Sequence, residues 1–168
     1  MTTIRANAID IEYEALGPRE GQPILLIMGL GMQLTAWPDV FCQGLASRGF
    51  RVIRFDNRDT GLSTKMPSIG PLKATAMLAG ATLRLPVRPR YGLADMARDA
   101  IGLMGALGID RAHIVGASMG GMIAQLVAIN HPDRTKSLIS IRPACNRLGI
   151  GRQKLYGTKR SIFAVGWT

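Results

Sequence analysis

The residues best placed to do chemistry in this 168-residue chain lie in the stretch AHIVGASMGGMIAQ, residues 112–125. Ser118 is bracketed there by Gly116 and Gly120 in a G-x-S-x-G pattern, after one short apolar run and before a longer one. A serine on a sharp strand-to-helix turn takes a strained backbone conformation and lifts its hydroxyl to the carboxyl end of the sheet. Any side chain two residues before or after it would collide with the turn. A helix starting at Met119 would aim its amide hydrogens and positive dipole end at an oxyanion formed there. The chemistry implied is attack by the Ser118 hydroxyl on a carbonyl, with a covalent acyl intermediate.

A second glycine cluster, MGLGMQ at 28–33, directly follows the apolar run PILLIM. An enzyme with such an elbow places its other oxyanion donor, a backbone amide, in this loop, and Gly29 and Gly31 permit close approach to a substrate.

A serine hydroxyl needs a base, and the sequence holds two histidines, His113 and His131. His113 opens the strand that leads to the elbow, about 16 Å from Ser118 at the usual rise of an extended chain. His131 ends the following helix, roughly 20 Å away. Both are expected to be structural, and so are Asp133 and Arg134. Asp56, Arg58 and Asp59 follow a neighbouring strand and are expected to pin its exit turn by hydrogen bonds, with shaping of the pocket as the alternative.

The elements that must hold these residues follow from apolar spacing. TIRANA and DIEYEAL suggest two short strands ended by Gly17-Pro18. PILLIM is continuously apolar, typical of a strand buried on both faces of a parallel sheet. A helix over about 37–48 carries Trp37, Phe41 and Leu45 on one face, and RVIRFD is the next strand. Residues 64–92, with Pro67, Pro71, Pro86 and Pro89, are expected to be a loop carrying one helix. Residues 93–107 repeat apolar positions at spacings of three and four and predict an amphipathic helix. AHIVGA is a strand, MGGMIAQLVAINH a helix and RTKSLISI a further strand. The alternation predicts an α/β fold with a mainly parallel sheet.

Composition agrees with one globular domain: 47% hydrophobic and 19% charged residues. The acids in MTTIRANAIDIEYE argue against a signal peptide, so a cytoplasmic protein is expected. No run is long enough to span a membrane. Cys42 and Cys145 lack metal or redox spacing and are expected to be free thiols. No metal or organic cofactor is implied, and nothing speaks to oligomeric state. The net charge of +10 is unevenly spread. Residues 1–141 hold 15 basic and 11 acidic residues, a net of +4, whereas 142–168 hold 6 basic residues and no acid.

PILLIMGLGMQLTAWPDVF, VIRFDNRDTGLST, YGLADMARDAIGLMGALGI and AHIVGASMGGMIAQLVAINHPDRTKSLISI, in this order, resemble the α/β-hydrolase superfamily. The likeness is nearest to esterases of the aclacinomycin methylesterase type and covers about residues 4–141. It implies a three-layer α/β-hydrolase fold, incomplete, with about six of eight strands, and hydrolysis of a small-molecule carboxylic ester. By the same resemblance Ser118 matches the nucleophile, the backbone N–H groups of Met119 and Leu30 match the oxyanion donors, and Gly116 and Gly120 match the elbow glycines. Many relatives have His-Gly where this chain has Met28-Gly29; the donor is a backbone group, so the exchange does little harm. The family's acid and histidine follow later strands, which this sequence lacks.

Two regions are therefore expected. Residues 1–141 form the N-terminal part of the hydrolase domain. Residues 142–168 form a basic tail, either disordered or foreign to the fold, as a reading-frame error near residue 141 would produce. The strand RTKSLISI would then present an unpaired edge. The function expected is that of a serine esterase inactive on its own for want of the triad's acid and histidine. The alternative is an inactive fragment whose tail binds nucleic acid or an anionic surface by charge alone.

Overall fold

The computed structural model describes residues 1–67, 70 and 90–141, together with the backbone of 162–165. The chain opens with an antiparallel hairpin, β1 (Thr2–Ala6) and β2 (Ile9–Leu16), turned by Asn7 and Ala8 at φ of 47° and 63°. There follow β3 (Gln22–Ile27), α1 (Asp39–Ala46), β4 (Phe50–Phe55), α2 (Leu93–Ala106), β5 (Ala112–Ala117), α3 (Met119–Asn130), β6 (Thr135–Ile141) and β7 (Ile162–Val165). All seven strands join one sheet in the order β1-β2-β4-β3-β5-β6-β7. β3 to β7 run parallel to one another, and β2 lies antiparallel to β4.

The apolar run of β3 serves two cores at once. Leu25 and Ile27 pack with Met96, Leu103 and Met104 of α2 and Ile123 and Val127 of α3. Ile24 and Leu26 pack on the other face with Trp37 and Cys42 of the α1 region. Strands covered on both faces have no solvent side, so they carry no polar alternation. Each fully buried Leu or Ile contributes about 1.5–3 kcal/mol. The periodic residues of α2 explain its placement: Met96, Ala97, Ala100, Leu103 and Met104 are all buried. Its first turn is closed by the Asp95 carboxylate, which accepts the Gly92 N–H at 2.7 Å.

Polar groups tie the layers together. Asp99 of α2, 2% exposed, accepts two hydrogen bonds from the Arg58 guanidinium at 2.6 and 2.7 Å, and a third from Asn7 Nδ2 at 2.6 Å. On the other face Arg54 of β4 donates to Glu14, to the Trp37 carbonyl at 2.7 Å and to Asp39 at 2.7 Å. It thereby holds the start of α1 to the sheet.

The six strands expected are all present, and one expectation is corrected at the carboxyl-terminal side. A further strand, Ile162–Val165, pairs in parallel with Leu138–Ile141. The edge of β6, expected to be unpaired, is covered along those four residues. IFAV is an apolar run too short to show a period, and its basic surroundings hid it. The rest of the tail lies outside the described residues, as do Cys145 and the helix expected between residues 64 and 92. Among the described residues no helix is long and apolar enough to cross a membrane.

Candidate functional site

The sheet order puts β3 beside β5 and sends the chain to opposite sides of β3: to β4 through α1, then back to β5 through α2. The carboxyl ends of β3 and β5 therefore flank the point where strand order reverses, the usual ligand crevice of an open α/β sheet. Ser118 follows β5 there and is exposed. Its backbone stands at φ 54° and ψ −121°, a region that a residue with a side chain enters only under strain.

Local hydrogen bonds hold that conformation. The Ser118 N–H donates to the Ile141 carbonyl at 2.9 Å, while its own carbonyl accepts from Gly121 N–H at 2.9 Å and so starts α3. Met119 is the first residue of α3, and its N–H is among those a helix leaves without an intrahelical acceptor.

The glycines have separate reasons to be there. A Cβ on Gly116 would lie 2.1 Å from the Gly120 carbonyl oxygen, inside the elbow itself. A Cβ on Gly120 would instead lie 2.1 Å from the Ile27 carbonyl oxygen and 2.7 Å from that of Met28. The second contact is with the neighbouring loop, which the spacing alone did not reveal. Gly29 is less tightly placed: a Cβ there would stand 3.1 Å from Ser118 Cβ and 3.5 Å from Oγ. The loop after β3 thus rests directly on the elbow, and Leu30, one residue on, has a side chain 78% exposed.

Asp56 and Asn57, both buried, fasten this loop at its two ends. Asn57 Nδ2 donates to the Met28 carbonyl at 2.9 Å. The Asp56 carboxylate accepts the Leu34 N–H at 2.7 Å and the Leu62 N–H at 3.0 Å, and the Asp56 carbonyl accepts the Ser63 hydroxyl. Asp56 was expected to pin its own turn; it also reaches across to the loop after β3. Asn57 was not anticipated, since the only signal for it is the register of β4 beside β3. Arg58 leaves its turn to pair with Asp99, while Asp59 accepts the Met66 N–H at 2.6 Å. Tyr91 is pushed up to about 12 by burial and by its hydrogen bond to Asp59, and its ring faces the Arg58 guanidinium.

Neither histidine joins Ser118. His113 lies at the amino end of β5, bonded to Ser137 at 2.7 Å and Gln22 at 3.1 Å. His131 follows α3 and gives its carbonyl to Thr135 Oγ1 and the Arg134 N–H. Arg134 in turn donates to the carbonyls of Ile109 and Asp110. Cys42 is buried, and that burial pushes its thiol up despite the opposing Arg54.

This geometry matches known proteins. Residues 22–156 match the family described as the alpha/beta hydrolase fold. A rhodomycin D methylesterase from Streptomyces peucetius is 34% identical over 135 residues, which is 80% of this chain and 39% of that protein. A protein from a Caulobacter species, provisionally named a carbamate hydrolase, is 37% identical over 141 residues, 82% of this chain and 44% of that protein. The structure of a meta-cleavage product hydrolase from Pseudomonas fluorescens superposes with a TM-score of 0.65 at 26% identity, covering 83% of this chain and 44% of that one. The chain spans well under half the length of these relatives. It belongs to the α/β-hydrolase fold family.

Proposed function

We propose that Ser118 is the nucleophile of a carboxylic-ester hydrolase, with the Met119 and Leu30 amides as its oxyanion donors, and that the 168 residues alone do not turn over an ester. One observation carries the first half: an exposed serine forced to φ 54° at the start of α3, with Gly29 of the neighbouring loop against its side chain. Oxyanion donors fixed in advance in this way stabilise the charge of a tetrahedral intermediate without reorganising.

The second half rests on the histidines. Ser118 becomes nucleophilic only when a base takes its proton; the His113 ring is bonded to Ser137 and Gln22 at the amino end of the sheet, and His131 follows the far end of the helix that Ser118 begins. Without a base such a site retains about 10³–10⁴-fold catalysis over water from the oxyanion hole and binding. The acid and histidine must come from sequence beyond these residues. A methyl ester, as in the name of the Streptomyces relative, and a carbamate, as in that of the Caulobacter one, both offer a carbonyl with a heteroatom leaving group. One serine mechanism serves either.

A chimera of residues 1–141 with the carboxyl-terminal part of the Streptomyces methylesterase tests this. It should hydrolyse p-nitrophenyl esters and lose at least about 10³-fold on Ser118→Ala. The 168-residue chain should show no turnover beyond that of its own Ser118→Ala variant. An active chimera indifferent to Ser118→Ala would remove the nucleophile assignment. Turnover by the 168-residue chain that Ser118→Ala abolishes would remove the claim of a missing base.

A further inference from the structure

The histidine that cannot reach Ser118 does reach another serine. At the amino end of the sheet, His113 of β5 and Ser137 of β6 are partners in the parallel register. His113 Nδ1 stands 2.7 Å from Ser137 Oγ, and Nε2 stands 3.1 Å from Gln22 Oε1 on β3. An amide oxygen only accepts, so Nε2 carries the proton of the neutral ring. Nδ1 is then left to accept from the Ser137 hydroxyl. Burial, with Lys136 nearby, holds His113 below the ordinary histidine value, which keeps the ring unprotonated and free to accept a proton at neutral pH. The ring is held a second time by the edge of Phe50, whose centroid lies 6.2 Å away at an interplanar angle of 87°. Both Ser137 and His113 retain solvent access.

A nucleophile within hydrogen-bond reach of a base, and a base oriented by a third group, is the general requirement for an activated hydroxyl. We propose that Ser137, with His113 as its base and Gln22 as the positioning residue, is a second acyl-acceptor site that takes the acyl group of activated esters. In the step, Ser137 Oγ bonds to the acyl carbon, the carbon–oxygen bond to the leaving group breaks and the leaving group departs as its anion. The hydroxyl proton passes to His113 Nδ1 and from the resulting imidazolium to solvent. Among the described residues no helix begins beside Ser137, in contrast with Ser118 and α3, so no first-turn amides from them meet the oxyanion. The site is therefore restricted to esters whose leaving group is already a stable anion. This inference is independent of the role of Ser118.

The test is acetylation of the 168-residue chain by p-nitrophenyl acetate at neutral pH, with the modified residue located by peptide mass spectrometry. Acetyl should appear on the peptide carrying Ser137 and vanish there in Ser137→Ala. A positioned general base is worth about 100-fold or more, so His113→Gln should slow labelling by at least that factor. Gln22→Ala, a change at an exposed position, should leave the circular dichroism unchanged and slow labelling several-fold. An unmodified Ser137, or labelling of it at the same rate in both His113→Gln and Gln22→Ala, would overturn the proposal. Acetylation of Ser118 is read on a different peptide and reports on the first site alone.

Discussion

Gly29 packs against the Ser118 side chain with almost no room to spare: a Cβ on Gly29 would stand 3.1 Å from the serine's Cβ and 3.5 Å from its Oγ. The contact is side chain against a missing side chain, and it lets the loop after β3 approach the hydroxyl it is proposed to serve. Gly29→Ala should therefore cost little stability, about 1–2 kcal/mol, because Ser118 can give by a few tenths of an ångström. The same shift should slow any reaction at Ser118 several-fold, since a full misplacement of 1 Å costs about 100-fold. Thermal denaturation beside fluorophosphonate labelling of Ser118 in the presence of imidazole separates the two effects. Equal labelling rates in Gly29→Ala and the parent would contradict the packing account.

Ser118 itself holds strain at φ 54° and ψ −121°. Ser118→Gly should raise stability by about 1 kcal/mol, as glycine enters this region at no steric cost. Ser118→Ala keeps the Cβ and should leave stability close to the parent. Denaturant midpoints compared across the three chains check this; a destabilised glycine variant would mean that the serine side chain holds the turn.

Asp56 and Asn57 are predicted to hold the loop after β3 rather than to touch a substrate. Asp56→Ala strands the buried Leu34 amide, at about 1–3 kcal/mol for a buried group left unsatisfied, and frees the Leu62 amide, whose residue is exposed. Asn57→Ala frees the Met28 carbonyl alone and should cost less. Hydrogen exchange at Leu34 should quicken in Asp56→Ala and stay near the parent value in Asn57→Ala. Matching exchange in both variants would show that the loop is held by something else.

Tyr91 gives the chain an alkaline signature. Its neutral form is favoured in the folded state by burial and by Asp59, which raises its pKa from 10.0 to about 12. An acid whose folded pKa is raised releases its proton first in the unfolded chain, so stability falls as pH rises from 10 towards 12. Tyr91→Phe should flatten that part of the curve. Ultraviolet titration of the phenols, with Tyr91→Phe as the control, should show one tyrosine ionising last.

How much of this was legible in the sequence follows from the range of each interaction. PILLIM, AHIVGA and the spacing of α2 are local patterns, and the strands and helix appear where those patterns stand. The glycine bracket around Ser118 also read correctly as a turn, although the reason for Gly120 proved to be the carbonyls of Ile27 and Met28. Asn57 with Met28, Arg58 with Asp99 and His113 with Ser137 were not legible. Each pair is separated by 24 or more positions and meets only through strand register or helix docking. β7 was missed for another reason, being four apolar residues in a basic segment, too few to show any period.

The central claim is that Ser118 occupies a formed nucleophile elbow for which this sequence supplies no base. The most direct measurement is to treat the 168-residue chain with a fluorophosphonate, with and without a high concentration of imidazole as an external base, and to locate the adduct by mass spectrometry. The account predicts an adduct on Ser118 that requires imidazole. Full labelling of Ser118 without imidazole would show that a base is already present. No labelling of Ser118 even with imidazole would show that the elbow is not competent.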